Sequence, residues 1–467
     1  MPLDISDNWA ATCQRARTLA VLGALTLVAS HAGARDRLQG VGQASLGYTD
    51  NVRSSPDEAI YAPDEPSEVL VPEKTGDVFA MLSPGLVYGI ENPGSAHRFT
   101  YTYTASLFFD NWGANSYSNR LEWRGGLEPH PRLQLIFVAS ATQSHQHTQG
   151  TLLSASQTAL NATVPGTGAF ILAGGSQSLV YELSPEWAFL QGTGAGAQFP
   201  IFDTEGSRTY QISQRLGLER VWLSDAVGLE GRGNYVAYRG TALRETALGT
   251  FAGGDQSQFV AELVGTWRHD FGYYFASRVE AGAARVWMLE RGRQFSQPIG
   301  LAALSYIHEN GEAELSYRHA LTTSVFLGQT FLSDEVRLRA SIPLDEDDKI
   351  FLSASSGYQR SRILDEYGDL ATRVDLWLGD VALSYEVLPV LTVAARYQHV
   401  EQVSGAELPP LPLSYVRNTG LLTATVEYPP EREMPRTYRE SRRVDRSDVF
   451  ESSYEDPTEA QPGPAAP

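Results

Sequence analysis

Along this chain apolar and polar side chains alternate in segments of about ten residues, the length of a membrane-crossing strand. The clearest segment is 97–109. There Phe99, Tyr101, Tyr103, Ala105, Leu107 and Phe109 share one phase, and Arg98, Thr100, Thr102, Thr104 and Ser106 share the other. Successive side chains of a strand face opposite sides, so each such segment has one apolar and one polar face. Eighteen segments fit the sequence: 38–48, 78–90, 97–109, 119–127, 133–145, 174–183, 187–198, 208–222, 226–238, 256–267, 273–287, 297–307, 312–321, 334–342, 350–360, 372–385, 391–401 and 416–428. Turn-forming links such as Glu91-Asn92-Pro93-Gly94, Glu128-Pro129-His130-Pro131 and Glu309-Asn310-Gly311 alternate with longer ones such as 50–75, 146–173 and 239–255.

This rhythm predicts an all-β fold, a transmembrane antiparallel β-barrel of about 18 strands. It would have short periplasmic turns, long extracellular loops and both termini inside. A misread hairpin would make sixteen or twenty. Lipid offers no partner to unpaired backbone groups, so only helices and closed barrels cross it. Nine aromatic residues near segment ends, Tyr48, Tyr88, Trp123, Trp187, Trp222, Trp267, Trp287, Tyr306 and Tyr428, fit the belts that barrels place at the water interface.

The first 34 residues read differently. Arg15 and Arg17 precede the apolar run 19–28, and Ala32-Gly33-Ala34 follows it. That order is a secretory signal peptide with cleavage after Ala34. Cys13, the only cysteine, would leave with it, so disulfides and thiolate metal sites are excluded from the mature chain. The barrel would occupy 35–428. Pro429-Pro430 breaks the pattern, and 429–467 is charged and poor in apolar residues, which predicts a disordered periplasmic tail. The implied location is the outer membrane of a Gram-negative bacterium.

Charge narrows the partners. The formal net charge is −19, which argues against nucleic acid. Lys74 and Lys349 are the only lysines, so nearly all positive charge is arginine, the residue suited to planar contacts with carboxylates. On the polar phase stand Arg98, Arg120, Arg124, Arg278, Arg337, Arg339, Arg396 and Arg417, with Glu122, Glu219, Glu230, Glu280, Glu314, Glu335, Asp375 and Glu427. The eight arginines are the candidate lumen and substrate path. Two readings of them stay open: a path for a polyanionic chain, or charges that neutralise carboxylates on adjacent strands and stiffen the wall.

Other features carry less. The acidic loop with Asp57, Glu58, Asp64, Glu65, Glu68 and Glu73 suits either a solvated loop or divalent cations bridging to lipopolysaccharide. The link 146–173 is long enough to fold into the pore, and 345–348 reads as a solvated turn. Gly192–Ala197 fits G-x-G-x-x-A but lies on a strand with no helix after it, so it is no nucleotide site. His145 and His147 stand alone in a loop. No catalytic signature appears. The expectation is a non-enzyme with no cofactor, no metal and no catalytic residue.

The stretch Leu46-Gly47-Tyr48-Thr49-Asp50-Asn51-Val52 resembles the first-strand signature of the β-barrel porin 2 family. Leu82-Ser83-Pro84-Gly85-Leu86 and Leu183-Ser184-Pro185-Glu186-Trp187 are similar to its style of strand and turn. The resemblance spans about 40–428, and members look like outer-membrane porins of exopolysaccharide secretion systems. It implies a channel exporting a secreted polysaccharide. The implied partners are outer-membrane lipid and lipopolysaccharide, the polysaccharide itself, the barrel-assembly machinery and periplasmic polysaccharide-export proteins. The sequence leaves two alternatives: a general diffusion porin for small solutes, or a structural or adhesive barrel.

Overall fold

The computed structural model describes residues 35–61, 69–71, 73–92, 94–148, 165–201, 208–239, 256–290, 292–308, 310–323, 330–345, 349–364, 370–405 and 414–429. The strands are β1 (Arg35–Thr49), the short pair β2 (Ile60–Tyr61) and β3 (Val69–Val71), β4 (Asp77–Asn92), β5 (Ser95–Phe108), β6 (Ser116–His130), β7 (Leu133–Thr148), β8 (Pro165–Glu182), β9 (Trp187–Pro200), β10 (Arg208–Val221) and β11 (Asp225–Arg239). They continue with β12 (Gln256–Asp270), β13 (Phe275–Met288), β14 (Arg293–His308), β15 (Gly311–Thr323), β16 (Thr330–Pro343), β17 (Ile350–Leu364), β18 (Leu370–Leu388), β19 (Leu391–Ser404) and β20 (Tyr415–Tyr428). All but β2 and β3 form one 18-stranded antiparallel sheet in which each strand pairs with its chain neighbours. The sheet closes on itself: β1 pairs with β4 from Arg35↔Glu91 to Thr49↔Asp77, and with β20 from Gly40↔Tyr428 to Thr49↔Thr419. Closure leaves no edge whose backbone groups would go unpaired.

Each of the eighteen sequence segments became one barrel strand, but many strands run further than the alternation does. Strand β8 starts at Pro165, not 174, β14 at Arg293, not 297, and β16 at Thr330, not 334. Backbone pairing continues past the apolar band, where outward side chains turn polar and the two-sided pattern disappears. The strict alternation of short and long links fails for the same reason. The outer links 289–292 and 365–369 are shorter than the turn 344–349 at the other end. The link 146–173 shrinks to 149–164, which lies outside the described residues, as do the signal peptide, most of the C-terminal tail and 64–68 of the acidic loop.

The convex face is apolar. Leu38, Leu46, Leu82, Leu86, Leu121, Leu216, Leu263, Leu338, Leu383 and Leu422 are all exposed there. All nine belt aromatics share this phase. At one end Tyr88, Phe99, Trp123 and Phe137 stack in a row, with ring centroids 6.4, 6.2 and 6.0 Å apart. Arg220 covers Trp222 at 4.7 Å on the same rim. No helix among the described residues is long and apolar enough to cross a membrane, so any crossing is made by strands.

Asp50 and Asn51 sit at the seam where β1 meets β20. The Asp50 carboxylate accepts from the Asn418 backbone N–H at 2.7 Å and from its side-chain amide at 2.8 Å, and Lys74 Nζ lies 3.2 Å away. Asn51 is fully buried. Its amide donates to the Ser55 and Val416 carbonyls at 2.7 and 2.9 Å, and its Oδ1 accepts from Ser55 N at 2.9 Å. This Asp-Asn pair ties the first strand and its loop to the last strand. Burial pushes the Asp50 carboxyl up, but Asn418 and Lys74 outweigh it and hold the group below the usual carboxylate range.

Candidate functional site

The concave face carries the polar phase. Registers run across it strand by strand, so residues paired in the ladder share a row of the inner wall. Arg98, Arg120, Arg124, Arg278, Arg337, Arg339, Arg396 and Arg417 all lie on this face. Asp375 does not. It pairs in register with Arg360 on the outward phase and bonds outward groups, whereas Leu376 beside it is buried inside. The sequence alternation put it in the lumen phase, but its side chain faces outward, on the same phase as exposed Trp377.

The wall formed by β10–β13 is an ion network. Arg215 bonds Glu230, and both are nearly inaccessible, at 2 and 3%. Arg232 joins Glu230 and reaches Glu280 at 2.9 Å and Glu262 at 3.8 Å. Arg278 bonds Glu280, and Arg268 meets Glu219 at 3.2 Å. Four arginines face four carboxylates, so the network is neutral. Above it Val260, Val264, Ala284, Val286 and Ile299 form a buried apolar cluster on the same face. Gly282 keeps this wall tight, since a Cβ there would stand 2.1 Å from the Leu263 carbonyl oxygen. Buried charges hold only when paired and hydrogen-bonded, and here the pairing is complete enough to fix side chains rather than offer them.

The wall of β1 and β4–β6 differs. Arg37 pairs in register with Gly89, Gly89 with Arg98, and Arg98 with Arg124. Three arginines therefore stand in one inward row, across about 14 Å at ordinary strand spacing, with only a glycine between the first two. Arg124 bonds Glu122 at 2.5 Å, and Arg120 bonds the same carboxylate at 2.8 Å. Arg37 and Arg98 are exposed and, among the described residues, have no ion-pair partner. Arg339 on β16 is likewise exposed and unpaired, although Glu314 faces it in register. Elsewhere Arg337 bonds Glu335, Arg396 bonds Asp380 at 2.5 Å, and Arg417 donates to Ser54 Oγ at 3.1 Å.

Sequence reasoning missed Arg37, Arg215, Arg232, Glu262, Arg268 and Asp380. Parity alone places Arg215 with Glu219, so that signal was present. Glu262 was hidden because Val260 and Val264 flank it on the same inner phase and blur the polar face. Of the lesser candidates, Asp57 is exposed and reaches only Lys74, at 3.9 Å. Asp345 caps its turn by accepting from the Lys349 and Ile350 N–H groups at 2.8 and 2.7 Å. His145 stacks on Tyr117 at 5.3 Å on the outer face, and Gly192–Ala197 lies inside β9. Among the described residues no group of three His, Cys, Asp or Glu is placed to hold a metal.

A closed, apolar-jacketed barrel with a charged inner wall defines the class: a transmembrane-type β-barrel. No protein-family model and no curated protein matches the chain in sequence. Three solved structures similar to it are a transporter and two receptors. The FrpB iron transporter of Neisseria meningitidis is 9% identical, with a TM-score of 0.45, over 84% of this chain and 82% of that one. The ferric-catecholate import receptor Fiu of E. coli K12 gives 9%, 0.44, 84% and 82%. The siderophore receptor PirA of Pseudomonas aeruginosa gives 9%, 0.41, 84% and 81%. The likeness at these values goes no further than a large barrel.

Proposed function

We propose that this protein is an outer-membrane channel that exports a secreted polysaccharide bearing negative charge. The observation that carries the reading is the unequal inner wall. The stretch β10–β13 is neutral and packed, whereas Arg37 on β1, Arg98 on β5 and Arg339 on β16 are exposed on the inner face with no ion-pair partner among the described residues. Rings and strips of arginine favour anions, and passage requires many weak contacts rather than one tight site. Exposed guanidiniums with water around them supply that: each attracts a carboxylate by about 1 kcal/mol in water. The resemblance of the Leu46–Val52 stretch to the β-barrel porin 2 family supports the same substrate class. The alternatives are a diffusion porin, which would use the same arginines to select small anions, and a structural barrel, which has no use for exposed inner arginines.

The test is single-channel recording of the full-length barrel in planar bilayers, with polygalacturonate or neutral dextran of equal length added on one side. The proposal expects discrete conductance and reversible block by polygalacturonate, with weaker block by dextran. Open channels indifferent to both polymers would return the reading to a diffusion porin.

A further inference from the structure

Toward the outer end of the barrel wall, outward side chains change from apolar to polar in a recurring way. On β15–β16, Tyr317 and His319 both bond Asp334, at 3.0 and 2.6 Å. On β19–β20, Tyr397 and His399 both bond Asn418, at 2.7 Å each. On β17–β18 the place of the histidine is taken by Arg360: Tyr358 donates to Asp375 at 2.7 Å and Arg360 Nε to the same oxygen at 3.0 Å. Two more arginines gather only here. Arg373 also bonds Asp375, and Arg362 reaches across to Asp334 at 2.6 Å.

Among the described residues three guanidiniums thus meet two carboxylates, and they stay 36 to 48% exposed. The Nε of Arg362 has no hydrogen-bond partner among them. On the neighbouring strand Glu401 is held near His399, at 3.9 Å. Directly below the arginines the wall is apolar. Trp377 packs against Tyr358 at 4.4 Å, and Val336, Leu338, Val381 and Leu383 follow, all 42 to 48% exposed. Exposed guanidinium groups above an exposed hydrocarbon surface complement one kind of molecule, an amphiphile with an anionic head and acyl tails. Forked N–H groups match phosphate oxygens in particular.

We propose that Arg360, Arg362 and Arg373 dock the phosphorylated sugar head of an outer-leaflet glycolipid, whose acyl chains lie along Trp377 and the leucines and valines beneath. The proposal rests on the membrane placement given under Proposed function and goes beyond it in naming a lipid site.

The test is native mass spectrometry of the full-length barrel in detergent with diphosphorylated lipid A, its dephosphorylated form, or inorganic phosphate. The wild type is expected to retain the diphosphorylated lipid about tenfold more than the dephosphorylated one, given the strength of charge-assisted forked contacts. The triple variant R360Q/R362Q/R373Q should lose that preference, and the triple lysine variant should keep part of it. Folding is checked by the heat-dependent shift in gel mobility. If the glutamine triple does not fold, Arg373→Gln alone leaves the other two ion pairs in place and should cut the preference about threefold. Equal retention of both lipids by the wild type, or an undiminished preference in the folded triple, overturns the site alone. Competition by inorganic phosphate overturns it too, since it marks a site for soluble anions. Retention of neither lipid overturns the membrane placement as well.

Discussion

Two walls of the same barrel use arginine in opposite ways. On β10–β13 four arginines and four carboxylates form a neutral, largely buried network beside an apolar cluster. On β1 and β4–β6 arginines stand in a row with one carboxylate between two of them, and Arg37 and Arg98 are exposed. The first arrangement spends its charge on holding strands in place. The second leaves guanidinium charge exposed on the inner face. The same residue type on the same face is therefore structural or functional according to its neighbours. A charged lumen in itself says nothing about substrate.

The contrast can be broken most sharply at its buried end. Glu230→Gln strands Arg215 and Arg232 without their shared carboxylate, and loss of one partner in a buried pair costs about 3 kcal/mol or more. Denaturant unfolding from lipid vesicles should show that loss, while anion selectivity of the folded fraction stays near the wild type. A matched pair of glycines gives the next effect. Gly282→Ala drives a Cβ into the Leu263 carbonyl and should cost about 2 kcal/mol. Gly89→Ala, on the open wall, meets nothing nearer than 4.0 Å and should change stability by less than about 0.5 kcal/mol. Equal effects in the two variants would mean that the walls do not differ in packing.

The seam that joins β1 to β20 supplies a pH-dependent comparison. The Asp50 carboxyl is held below its usual range, so its contribution is present above the unfolded value, about 4, and is lost as pH falls through the folded value. Hydrogen bonds to a charged group suggest about 2 kcal/mol. Unfolding of the wild type at pH 7 and pH 3 should show that contribution shrink, whereas Asp50→Asn should lack it at both. The smallest effect is electrical. Arg98→Gln removes about 1 kcal/mol of attraction for a nearby anion, or about fivefold in relative anion permeability before screening by salt. Reversal potentials under a salt gradient would show it, and an unchanged ratio would remove Arg98 from the ion path.

The barrel was legible in the sequence because lipid enforces a two-residue period. Phe99, Tyr101 and Leu107 against Arg98, Thr100 and Thr102 already separate outside from inside, and the same parity put eight arginines on the inner face. The period fails where lipid no longer acts. Above the outer belt Tyr358, Arg360 and Arg362 are all outward, so Asp375, which bonds there, looked like a lumen residue. The pairing of arginines was not legible, because ion pairs depend on register between strands. The alternation in β12 shows Glu262 between valines, yet only its neighbours' registers bring it near Arg232. Asp50 and Asn51 lie in the stretch that resembles a family signature. Their hold on Asn418 and Val416, at the far end of the chain, follows from closure and not from local pattern.

The most direct test of the account compares polygalacturonate block of single channels in the wild type with block in R37Q/R98Q/R339Q, which alters arginines that have no ion-pair partner among the described residues. The account predicts block lifetimes shortened about tenfold or more, three charges at up to about 1 kcal/mol each less screening, with dextran block unchanged. Equal polygalacturonate lifetimes in the two proteins would contradict it, because the open wall would then have no part in holding an anionic chain.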